Sequence, residues 1–188
     1  MTLLRARRQF ALALAAGWLA CAACAVHAQA QGLGLVRASA VKAAFLYKFG
    51  SFVEYPAGAF KSGNAPFVIG VFGDDAVAAE LEGLAAGRDI DGHPVAVVRV
   101  RDGDALPAVH ILYAGGPRES RVRDMLDAVH GPVLTVADGP VPGKSAPVLY
   151  FTEEQGRLRF AASLTAAAAR GLKLSSKLLA VAQSVEGR

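Results

Sequence analysis

Cysteine is scarce, and both copies sit where no folded domain is expected. Cys21 and Cys24 lie in an apolar run from Phe10 to Ala25, behind a basic start of Arg5, Arg7 and Arg8. Small residues follow at Val26 and Ala28, or at Ala28 and Ala30. Residues 1–30 therefore read as a secretory signal peptide. The run is shorter than the ~20 residues a membrane span needs. The residues before each cysteine fit a lipid-attachment site poorly. With the signal removed, the chain holds no cysteine. That excludes disulfides, cysteine metal sites and a thiol nucleophile, although an exported protein would be free to form disulfides.

Positive charge is also scarcer than it first looks. The full chain carries 20 Lys and Arg against 16 Asp and Glu, with a pI near 9.3. Loss of the three signal arginines leaves 17 basic residues, a net charge of about +1. No long Lys/Arg cluster remains, so no nucleic-acid partner is expected. Signature motifs are missing too. There is no GxGxxG and no GxSxG. Gly143-Lys144-Ser145 resembles the tail of a P-loop, but position 138, where the upstream glycine belongs, is Asp138, and the segment leads into a strand rather than a helix. His93, His110 and His130 have no ligand-spaced partner, which argues against zinc. Ser, His and Asp occur without triad-like spacing. The expectation is a non-enzyme with no catalytic residues, no metal and no cofactor.

What is present is a patterned core. FVIGVFGDD, Phe67 to Asp75, is apolar without alternation and then breaks, as an interior parallel strand does before a capped helix. Asp74 or Asp75 can cap that helix. Upstream, Val41, Phe45, Phe49 and Phe52 recur at helical spacing, with Lys42 and Lys48 off the stripe and Pro56 as the stop. Downstream come strands over Val95 to Val100, Val109 to Ala114 and Val133 to Val136, and a helix carrying Val122, Met125, Leu126 and Val129. A hairpin follows across Glu153-Glu154-Gln155-Gly156. The chain then closes on two short helices separated by Gly171, the second capped by Ser175 or Ser176. This predicts a single three-layer Rossmann-like α/β domain. Its mostly parallel sheet has five to six strands, helices cover both faces, and a C-terminal hairpin plus helices is appended. Residues 31–38 are a lead-in, and residues 39–188 are the domain.

Several segments, taken in order, resemble the YfiR family of periplasmic regulators. VKAAFLYKFGSFVEYP looks like the family's opening helix and its Glu-aromatic-Pro corner. FVIGVFGDD, ILYAG and VLTVAD look like its strands. LYFTEEQGRLRF and GLKLSSKLLAVA resemble its terminal hairpin and helix. The likeness spans Val41 to Val185. Two departures matter: Phe160 is followed by Ala161, Ala162 and Ser163 where Glu-Ile-Asn is frequent, and the disulfides of some members are absent.

The resemblance implies a periplasmic protein that binds the sensor domain of an inner-membrane diguanylate cyclase and inhibits it. Cyclic di-GMP and biofilm formation would then fall. The expected contact surface is Arg157, Arg159 and Ser163, taken as exposed, beside the small residues Ala161 and Ala167. A small-molecule binding module is the alternative. It would use the crevice beyond the strand ends, at Asp74, Asp75, Gly115 and Gly116. A homodimer and a small-molecule effector stay open.

Overall fold

The computed structural model describes residues 38–143 and 145–187. The expected signal peptide and residues 31–37 of the lead-in lie outside them. One compact unit comprises Ser39–Arg188; the other, Met1–Ala38, is outside the described residues but for Ala38. Among the described residues no helix is long and apolar enough to cross a membrane.

The first helix, α1, covers residues 38–50. Ala43, Leu46 and Phe49 are its buried apolar side chains. The stripe is thus rotated from the expected one: Val41 is 37% exposed, Leu46 is fully buried, and Lys42 turns toward the sheet. The helix also ends at Gly50, well before Pro56, and gives way to the short strand β1 (Val53–Glu54). Phe45 and Phe49 pack against Phe151 and Phe160 with ring centroids 5.0–6.2 Å apart.

Next come β2 (Phe67–Phe72), α2 (Asp75–Ala85), β3 (Asp89–Ile90), β4 (His93–Val100), β5 (Ile111–Ala114), α3 (Glu119–Asp127) and β6 (Leu134–Ala137). The last third holds β7 (Leu149–Glu154), β8 (Arg157–Ser163), α4 (Leu164–Ala169), β9 (Lys173–Leu174), α5 (Ser176–Val181) and β10 (Ser184–Glu186). Eight strands form the main sheet, in the order β10-β8-β7-β6-β5-β2-β4-β3; β1 and β9 pair separately. The count exceeds the expected five to six for two reasons. Asp91 and Gly92, both at positive φ, turn the chain tightly enough to add β3 antiparallel to β4. At the far end, α5 stops at Val181 and the chain does not continue as helix. Residues 184–186 pair parallel to Ala161–Ser163 and cover the edge that β8 would otherwise leave open.

The five central strands, β4, β2, β5, β6 and β7, are parallel. Renumbered among themselves they run 2-1-3-4-5, the flavodoxin-like order of doubly wound sheets, a strand order the sequence left open. Alternate residues feed two cores. Ile69, Val71, Ile111, Tyr113 and Leu134 meet α1, α2, α4 and α5 on one face. Phe72, Leu112, Ala114 and Ala137 meet α3 and neighbouring loops on the other.

The backbones just beyond the ends of β2 and β5 pack closely together. Gly73 has φ +78°, and a Cβ there would sit 2.1 Å from the carbonyl oxygen of Gly115. A Gly73→Ala substitution must therefore move backbone, and a loss of about 3 kcal/mol is expected, seen as a fall of roughly 6–12 °C in Tm by circular dichroism. Gly83 is the internal contrast. It lies in α2 with open space where a Cβ would go, so Gly83→Ala is expected to raise stability by about 0.5–1 kcal/mol.

Candidate functional site

β2 lies between β4 on one side and β5 on the other, so successive crossovers leave it in opposite directions. A crevice opens at the carboxyl ends of such strands. Here it is a cleft of about 570 Å³ lined by the segments Phe72–Asp75, Arg99–Asp102 and Gly115–Arg118, with Arg121 from α3. The cleft brings together Asp74, Asp75, Gly115 and Gly116, as the sequence led one to expect. Two close-packed glycine backbones, Gly73 and Gly116, form its floor. A Cβ on Gly116 would meet the Gly73 carbonyl at 2.7 Å.

The two aspartates do different work. Asp74, not Asp75, caps α2, accepting from the Val77 amide at 3.0 Å. Asp75 stands out in solvent and pairs with Arg99, whose guanidinium also grips Glu82 at 2.8 and 2.9 Å. Arg121 pairs with Asp102 across the rim. Arg101 and Arg118 also line the cleft, and neither has an ion-pair partner among the described residues. α3 begins beside them without a side-chain cap.

Behind the cleft lies a polar cluster that sequence spacing did not reveal. Lys42 of α1 reaches Asp138 at 2.7 Å and Asp74 at 3.8 Å, and donates to the Tyr113 hydroxyl at 3.2 Å. Tyr113 in turn donates to Asp138 at 2.6 Å. Asp138 is therefore an ion-pair and hydrogen-bond partner, not merely a turn residue. Asp74 and Asp138 thus share an ammonium built into the fold. Among the described residues no group of three or more His, Cys, Asp or Glu is disposed to hold a metal. Lys42, expected off the buried stripe together with Lys48, instead faces the sheet, and its partners lie far along the chain.

The hairpin residues divide differently. Arg157 and Arg159 are exposed, and Arg159 lies 3.8 Å from Glu154. Ala161 and Ala167 are buried at 0% and 2% exposure. Ser163, expected to be exposed, is buried at 8%. It ends β8 and caps α4, accepting from the Ala166 amide at 3.2 Å, and that role pulls its side chain inward. The two arginines thus form an outer patch, and the three small residues belong to the packing beneath it.

Replacing Lys42 by Met strands Asp138 and Asp74 beside a tyrosine hydroxyl. Because the cluster is only partly shielded, the expected cost is about 1–3 kcal/mol rather than the 3–5 of a fully buried pair. Urea unfolding would show it, and Lys42→Met with Asp138→Asn should cost less than the sum of the two singles. Burial, followed by the charge of Asp138, pushes the Tyr113 phenol above its ordinary 10.0, and burial raises Tyr55 as well. A raised value means the folded form keeps its proton longer. That stability is complete below pH 10 and is lost as the pH rises beyond it. In an alkaline titration read at the phenolate absorbance, these two tyrosines should ionise only as the fold opens.

Comparison with known proteins gives two findings. Among solved structures, a crystal structure of a conserved domain protein from Vibrio cholerae O1 biovar El Tor is similar at a TM-score of 0.41 and 16% identity. The likeness covers 64% of this chain and 55% of that one, so this chain spans little more than half of its length. No curated protein matches. The YfiR/HmsC-like family model matches residues 39–183, almost the entire length of the described domain, and the chain belongs to that family.

Proposed function

We propose that this protein is a periplasmic regulator that binds the sensor domain of an inner-membrane diguanylate cyclase and holds it inactive, lowering cyclic di-GMP and restraining biofilm formation. The observation that carries this reading is the family match across residues 39–183. No bond-making step is needed. The regulator has only to bind the inactive sensor conformation more tightly than the active one. A preference of about 10⁴-fold, roughly 5.5 kcal/mol, moves a sensor from almost wholly active to almost wholly inactive.

The proposed contact is the β7–β8 hairpin. Gln155 and Gly156, both at positive φ, make a two-residue turn that holds the strands in one register. Arg157 and Arg159 project from β8 beside that turn. Ala161, Ser163 and Ala167 would act from beneath, by fixing β8 to α4. Rigid support of this kind lowers the entropy lost when two surfaces dock.

A second reading assigns a small-molecule effector to the cleft. The observation favouring it is the pair of guanidinium groups at the mouth, Arg101 and Arg118, that have no ion-pair partner among the described residues. Such groups suit a phosphate or carboxylate. The two readings are compatible, with an anion tuning the regulator.

The mature domain should capture the periplasmic domain of one of its host's cyclases. Arg157→Glu with Arg159→Glu should weaken capture at least tenfold, about 1.4 kcal/mol, while Tm stays the same. Failure to capture any of them, with unchanged cyclic di-GMP in a deletion strain, would refute the regulator reading. For the cleft, pyrophosphate and citrate serve as probes in a thermal-shift assay. Saturation at about 100 times Kd should stabilise by about 2.7 kcal/mol, and Arg101→Glu with Arg118→Glu should abolish that gain. No shift with either probe would remove the effector reading.

A further inference from the structure

The cleft occupies the carboxyl ends of the parallel strands. Their amino ends are closed by residues 55–66, the segment between β1 and β2. Phe60 anchors that segment, with its ring sandwiched between two imidazoles. The His93 ring lies 4.1 Å away at 13°, and the His110 ring 4.3 Å away at 14°. The Tyr55 hydroxyl adds a second tether, donating to the His110 carbonyl at 3.0 Å.

The two histidines are held in different tautomers. His110 Nδ1 accepts from the Val68 amide at 3.0 Å, so it must carry a lone pair. The proton is then on Nε2, which faces the Ala59 carbonyl at 3.3 Å. His93 is reversed: its Nδ1 lies 2.7 Å from the Ala65 carbonyl and must donate. A second proton on His93 would go to Nε2 and leave the Ala65 bond intact. A second proton on His110 must go to Nδ1, where it would point at the Val68 N–H. Two donors would face each other, and the amide of an interior strand would lose its partner.

We propose that residues 55–66 form an acid-released clasp with His110 as its trigger. Protonation at Nδ1 breaks the bond to Val68, displaces the imidazole from the face of Phe60 and frees the segment from the amino ends of the sheet. One neighbour opposes this: the Ala59 carbonyl, facing Nε2 at 3.3 Å, favours the charged ring, but burial outweighs it. His93, across Phe60, adds repulsion when charged, and Tyr55 is half-buried and neutral. Glu54 and Asp91 line the shallow cavity beside Phe60 and His93, but no carboxylate is among the charges acting on His110. A charged imidazole is attracted to an aromatic face, but only while the ring keeps its place, and the bond that protonation breaks is what keeps it there.

Burial, partly offset by the bond to the Ala59 carbonyl and helped a little by His93, holds His110 below its ordinary 6.5. The closed clasp therefore binds fewer protons than the open one. Closure is at full strength above pH 6.5 and is lost as the pH falls from there toward the lowered value. Each unit of separation between the two values corresponds to a tenfold change in the ratio of open to closed forms.

Hydrogen exchange of the mature protein, followed by mass spectrometry at pH 7.5 and 5.0 and corrected for intrinsic rates, tests the clasp. Peptides spanning residues 55–68 should lose protection by about tenfold at pH 5.0, while those of β5 and β6 should not. His110→Asn places a neutral oxygen near the Nδ1 position and should make protection independent of pH. His93→Asn should leave the pH response in place. Equal protection at the two pH values, or a loss that persists in His110→Asn, would overturn the proposal. Should His110→Asn fail to fold, nitrogen NMR of wild-type His110 decides. The Nε2-protonated tautomer at neutral pH, with loss of the Val68 amide bond on titration, supports the clasp, and titration with that bond intact refutes it. No cyclase is used, so either result leaves the regulator reading where it stands.

Discussion

A parallel strand in the middle of a sheet has no face it can turn to water, and that constraint organises this protein. β2, β5 and β6 bury essentially every residue. Each must be covered twice, and the chain supplies two separate cores to do it. One is large and rests on four helices. The other is smaller and relies on α3 with the loops around it. The strand ends, freed from packing, are where backbone and charge remain available. The cleft at one end and the Phe60 segment at the other both follow from that division.

Much of this was legible in the sequence because local patterns carried it. The uniform apolar run of Phe67–Phe72 specified a doubly buried strand, and the Asp74-Asp75 pair marked the helix start beyond it. The Glu153–Gly156 stretch placed the hairpin, and the pair Ser175 and Ser176 placed the start of α5, with the structure choosing Ser175 as its cap. Asp74, Asp75, Gly115 and Gly116 could be gathered into one crevice because they all follow strands that run the same way.

The misses share a cause: each depended on residues distant in sequence. Lys42 sits on a helix whose hydrophobic stripe could be phased in two ways, and only the sheet decides between them. Its partners come from separate places: Tyr113 from β5 and Asp138 from just beyond the end of β6. The sequence Ser184-Val185-Glu186 has no strand character of its own; the open edge of β8 makes it one. Ser163 looked like a surface residue because its neighbours are small, yet the start of α4 requires its hydroxyl at the cap. Phe60 and the two histidines share no motif, and only the parallel arrangement of β4 and β5 brings the rings to either side of it.

The aromatic contact between α1 and the β7–β8 hairpin also bears on the order in which this protein assembles. Phe45 and Phe49 find their neighbours in Phe151 and Phe160, close to the other terminus, and β1 waits for β9 in the same way. The first helix to emerge during synthesis is thus among the last to dock. Contacts of such long range slow the search for the native state. Until the final third of the chain is present, the rings of Phe45 and Phe49 lack their aromatic partners, and that sticky edge of the helix is open to whatever escort the cell provides.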